Sequence, residues 1–165
     1  MKEKSGFSKL IEKIPGIGDF IARNNYRAAD KLLRETLVRR LSELGNRMDG
    51  LQQQMISGPG LLLLDDMERV RTKLTILSDT VATASYGYAG LFDKVKVDEE
   101  ILARVYDFDS SLYEHIHDID GALDKLEFAI DYQHDLAPVV KKIGREVSEA
   151  LQAYRQRDDV FTEEE

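Results

Sequence analysis

The chain contains no cysteine. This removes disulfide frameworks, thiolate nucleophiles and cysteine metal sites, and it fits a reducing compartment. Nowhere does the sequence hold the roughly eighteen consecutive apolar residues of a spanning helix. The nearest approach, Gly60 followed by Leu61, Leu62, Leu63 and Leu64, stops at Asp65 and Asp66. The opening residues lack the continuous apolar stretch and small-residue cleavage site of a secretory signal, so a cytoplasmic location is expected. Basic residues are the scarcer charge, 23 against 31 acidic for a formal net charge of −8. That balance argues against a general nucleic-acid binder, whose affinity rests on neutralising phosphates.

Catalytic signatures are also absent. There is no strained Gly-x-Ser-x-Gly elbow and no glycine-rich loop between a strand and a helix, and Ile14-Pro15-Gly16-Ile17-Gly18 is too short and lacks the lysine of a phosphate-binding loop. No alternating strand pattern is long enough to build a sheet. A non-enzymatic protein without cofactor is therefore expected.

What the chain does have is helical periodicity. At 165 residues and 42% hydrophobic, it can bury about two-thirds of its unfolded surface as one domain. Leu33, Leu37, Leu41, Leu44, Met48, Leu51 and Met55 fall on a three-and-four spacing that predicts one long helix. Ser57-Gly58-Pro59-Gly60 ends it, because glycine and proline do not continue a helix cheaply. Leu63, Met67, Val70, Leu74, Leu77, Val81, Ala84 and Tyr88 then predict a second helix, antiparallel to the first.

A third seam runs through Leu102, Val105, Asp109, Leu112, Ile116, Ile119, Leu123, Leu126 and Ile130. A fourth follows Pro138 through Val140, Ile143, Val147, Ala150 and Tyr154, with Leu136 just before the proline. The predicted fold class is all-α: an antiparallel four-helix bundle of two long helical hairpins, preceded by a short N-terminal amphipathic helix. The predicted organisation is 1–18 amphipathic segment, 19–157 bundle domain and 158–165 acidic tail. Gly121 inside the third seam is expected to cost about 1 kcal/mol relative to alanine, with room for close approach of a neighbouring helix as what it could offer in return.

Phe7, Leu10, Ile11 and Ile14 share one face of the N-terminal helix, surrounded by Lys2, Lys4, Lys9 and Lys13. Such a face reads as a membrane or docking surface, or as an apolar face packed on the bundle. The hairpin with a preceding amphipathic helix resembles in architecture the membrane-remodelling helical proteins of the phage-shock and ESCRT-III type; this implies membrane-surface work and assigns no residue.

Between the second and third helices, Tyr86, Tyr88, Leu91 and Phe92 sit on a glycine-flexed connector. They are candidates for partner contact or for a plug over the end of the core. Residues 98–135 carry twelve acidic side chains and only Arg104 and Lys125, which predicts a negative face for a basic partner, or one neutralised by the basic helix that follows.

Asp109 occupies a seam position. A buried carboxylate needs a partner, so the expectation is a turn rotated enough for Asp109 to reach water while Phe108 takes the core place; a buried ion pair or a ligand-binding group is the alternative. Glu114 and His117 have the i, i+3 spacing of carboxylate-bridged dimetal bundles, but no second Glu-x-x-His exists. His115 and His117 are thus weak metal candidates on a solvated face, and no metal is expected. The functional expectation is a helical scaffold or adaptor acting through protein–protein contacts or self-association, with peripheral contact to an anionic membrane as its surface form. The alternative is a bundle that binds a small molecule or metal near Asp109 and the histidines.

Overall fold

The computed structural model describes residues 11–84 and 99–158. Tyr86, Tyr88, Leu91, Phe92, Phe7 and Leu10 lie outside those residues. A helical turn at 11–13 leads into α1 (Ile17–Ala22). Asn24 then takes a left-handed backbone (φ 57°), and the Asn25 side chain accepts a hydrogen bond from the Ala28 amide at 3.3 Å. That cap starts α2 (Tyr26–Ile56) as a separate helix. A 3₁₀ segment at Pro59–Leu63 turns the chain into α3 (Leu64–Thr83). After the connector come α4 (Glu99–Asp131) and α5 (Ala137–Arg155), closed by a 3₁₀ turn at Gln156–Asp158.

The fold is all-α. Helix α2 packs on α3 and α4, and α5 packs on the same two, so the four long helices close a ring around one core. Cross-helix contacts give their directions. Arg71 of α3 reaches back to Asp49 of α2, the mark of an antiparallel hairpin. Arg40 meets Tyr113 and Arg47 meets Asp120, both 73 residues on, so α2 and α4 run parallel. Val70 lying against Gly144 and Lys73 meeting Ser148, at nearly equal offsets, place α3 and α5 parallel as well.

The core contains the seam as read: Leu33 to Met55 on α2, Met67 to Val81 on α3, Leu112 to Leu126 on α4 and Val140 to Tyr154 on α5 are buried. Tyr106, Ala122, Ala129 and Leu151 join them. Close approach falls at other glycines than Gly121. A Cβ on Gly121 would meet nothing within 4 Å, whereas one on Gly144 would lie 3.2 Å from Val70 and one on Gly45 would lie 2.7 Å from the Arg71 guanidinium. The side-chain-free surface at Gly45 lets Arg71 lie across α2 and reach Asp49. Gly121 fails as a contact point because it faces outward, where no helix crosses.

Ile14 and Ile17, the buried residues described in the N-terminal segment, pack into the core of the long helices. Ile14 is 2% exposed and belongs to the main core with Ile17, and the expected boundary after Gly18 falls inside α1. Ile14 is therefore unavailable to a membrane; Ile11, 39% exposed, keeps part of its surface in solvent.

Candidate functional site

The tight turn between α2 and α3 builds one end of the bundle. Gly58 is extended and Pro59 occupies the first turn of the 3₁₀ segment, where its missing amide leaves no helical bond unmade. Gly60 is buried, and a Cβ there would stand 2.7 Å from Met55 Cβ and 3.1 Å from Leu136 Cδ1. The turn of one hairpin thus presses on the turn of the other. Gly60→Ala is expected to cost about 1–3 kcal/mol by overpacking, read as a shift in the urea midpoint at unchanged slope.

Beside this contact lies a groove of about 480 Å³, lined by Met55, Gly58, Pro59, Ile130, His134 and Leu136 among others. Its surroundings are apolar. Of the large hydrophobic side chains exposed among the described residues, Ile56, Leu61, Leu62, Phe128 and Tyr132 lie at this end, and only Ile11 and Ile76 lie elsewhere. Leu62 is 90% exposed. The Phe128 and Tyr132 rings stack with centroids 4.4 Å apart, and His134 lies 5.5 Å from Phe128. Carboxylates neighbour them in the chain: Asp65 and Asp66 open α3, Asp66 being paired with Arg69 at 3.4 Å, Asp131 ends α4, and Asp135 accepts from the Ala137 amide at 3.2 Å.

This end did not figure among the sequence candidates, although two signals mark it. Four successive leucines from Leu61 to Leu64 cannot all face one seam, so some must point outward. Phe128 and Tyr132, one turn apart, each fall two residues past a seam position, Leu126 and Ile130 respectively.

The opposite end holds a buried ionic cluster. Asp109 is 1% exposed and Arg157 3% exposed; their side chains meet twice, Nε to Oδ1 at 2.9 Å and Nη2 to Oδ2 at 3.1 Å. Arg157 Nη1 donates to the Tyr154 hydroxyl at 3.1 Å. Asp30 of α2 is also buried, and Arg34 closes the same pocket. The expected rotation at Asp109 does not occur. The seam carries it inward, Phe108 stays half-buried, and Arg157 supplies the compensating charge. Burial, outweighing the attraction of Arg157, pushes the Asp30 carboxyl up to about 6, with Asp109 adding to the rise and Arg34 opposing it.

The acidic face of α4 is met partly by α2. Arg47 donates to Asp120 at 2.6 Å and to Glu127 at 3.0 Å, and also bonds Asp124. Partial burial alone would lower the Arg47 pKa; the three carboxylates outweigh it and hold it above its ordinary value. Next to this network a groove of about 230 Å³ between α2 and α4 is lined by Arg40, Tyr113 and His117.

The two histidine candidates are not brought together. His117 faces that α2–α4 groove, while His115 turns to α5, where its ligating atom and those of Asp118 and Glu146 lie within 4.8 Å of one another. Residues two apart on a helix point about 200° from each other, which accounts for the separation.

Comparison with protein-family models, with curated proteins and with solved structures finds no match to this chain.

Proposed function

We propose that the protein is a non-enzymatic helical scaffold that acts through protein contacts, and that its docking surface is the end formed by the α2–α3 turn and the end of α4. The observation that carries this reading is the concentration of Ile56, Leu61, Leu62, Phe128 and Tyr132 in solvent at that one end. Exposed apolar side chains gathered beside a groove mark interaction surfaces more often than they mark plain solvent-facing helix.

The rim chooses among occupants. Asp65, Asp66, Asp131 and Asp135 would repel an anionic lipid surface, and they favour a partner whose apolar anchors are flanked by lysine or arginine. The occupant is therefore a basic amphipathic helix of a partner protein, with its apolar residues in the groove between the two hairpin turns.

A suitable probe is a labelled peptide of residues 1–14, which carries Phe7, Leu10, Ile11 and Ile14 on one face among Lys2, Lys4, Lys9 and Lys13. The expected result is saturable binding that Leu62→Asp and Phe128→Asp each weaken by roughly tenfold or more, while Ile76→Asp, an exposed position on the middle of α3, leaves it unchanged. Three outcomes overturn the reading: no binding, equal weakening by all three substitutions, or sedimentation of the parent protein with anionic vesicles that Leu62→Asp abolishes.

A further inference from the structure

The three side chains His115, Asp118 and Glu146 form a cluster that the docking surface does not use. His115 and Asp118 are one turn apart on α4, and Glu146 faces them from α5, across the groove of the antiparallel hairpin. The ligating atoms, one imidazole nitrogen and two carboxylate oxygens, come within 4.8 Å of one another. Two carboxylates held this close repel unless a cation or proton lies between them. His115 is half-buried, and its Nδ1 is shut off from solvent with no hydrogen-bond partner. A buried ring nitrogen left unpaired is unfavourable, so the imidazole lacks the second bond that ordinarily fixes its tautomer.

We propose that His115, Asp118 and Glu146 bind one divalent first-row transition ion of the zinc class, which staples α4 to α5 across their groove. The donor set selects the class. One imidazole with two carboxylates and no thiolate suits borderline ions better than calcium or magnesium, which take oxygen ligands almost exclusively. Three protein ligands leave at least one coordination position for water. The ligands lie on two helices already packed along their length, so little chain entropy is lost when the ion bridges them.

The charge near this cluster is mixed. Lys125 and Lys142 crowd each other beside this groove, and the Lys142 ammonium pushes the Lys125 pKa down while Glu146 opposes that shift.

The test is calorimetric titration of the whole chain with Zn²⁺ alone, near neutral pH. One ion per chain is expected. His115→Ala and Glu146→Gln should each weaken binding by roughly tenfold or more, whereas His117→Ala, on the other side of α4, should stay within about twofold of the parent by the same measure. Ring-proton resonances give a readout independent of variant folding: those of His115 should move with Zn²⁺ while those of His117 and His134 stay in place. Equal loss in the His115 and His117 variants, movement of all three histidines together, or uptake of less than one ion would identify adventitious surface binding and overturn the site. Peptide binding at the α2–α3 end is unaffected in either case, so the two proposals fail separately.

Discussion

Arg157→Met is expected to destabilise the protein by about 3–5 kcal/mol, because it leaves Asp109 as a buried carboxylate without its counter-ion. The geometry makes the effect large. Asp109 and Arg157 are each at least 97% shielded from solvent, and their two-point contact is supplemented by the bond from Arg157 to the Tyr154 hydroxyl. Water cannot substitute for the lost guanidinium, and Asp30 in the same pocket loses the attraction of Arg157 as well. Loss of one partner differs from loss of both. The double variant Asp109→Leu, Arg157→Met should recover to within about 1 kcal/mol of the parent or exceed it, since apolar replacement of a buried ion pair is often neutral or stabilising. Urea unfolding with constant slope measures all three proteins. An Arg157→Met cost under about 1 kcal/mol would mean that the pair behaves as an exposed one.

This pair also shows where the sequence stopped being informative. The three-and-four spacing placed Asp109 on the seam, and the seam was right. The expectation that the turn would rotate Asp109 into water came from the general expense of a buried charge. Its remedy, Arg157, stands 48 residues away, beyond the reach of any periodicity argument. The same holds for His115 and Glu146, which only the antiparallel pairing of α4 and α5 brings together. By contrast, the seam positions of α2, α3 and α5 from Leu33 to Met55, Met67 to Val81 and Val140 to Tyr154 are legible in the sequence and buried in the structure, because the helical repeat alone sets them. Gly121 illustrates the converse error. A glycine in a seam-bearing helix suggested close packing, but it points away from α2, α3 and α5, and Gly45 and Gly144 are where side chains of α3 come near. The outward leucines of the α2–α3 turn were readable in principle, since a four-leucine run exceeds what one face of a helix can absorb.

Asp30→Asn is expected to stabilise the protein by about 2–3 kcal/mol at about pH 7.5, and to do so only above acid pH. The Asp30 carboxyl rises from 3.8 to about 6 on folding, chiefly because burial disfavours its charged form. Between those two values the folded chain holds a proton that the unfolded chain has released. This contribution to stability is therefore complete below about pH 4, is lost as pH rises toward 6, and stays lost above it. Asparagine has nearly the shape of the protonated acid and no charge to bury, so it keeps the acid-form stability at every pH. The groups facing Asp30 are Asp109 from α4, Arg157 beyond α5 and Arg34 from α2; Arg157 remains paired with Asp109. Parent and variant should unfold at the same urea concentration near pH 4 and diverge progressively through pH 6. A constant difference across that range would mean that Asp30 does not change its proton occupancy on folding. A variant less stable than the parent at pH 7.5 would mean that the attraction of Arg157 and Arg34 outweighs the burial of the carboxylate, and the direction assigned to Asp30 would then be reversed.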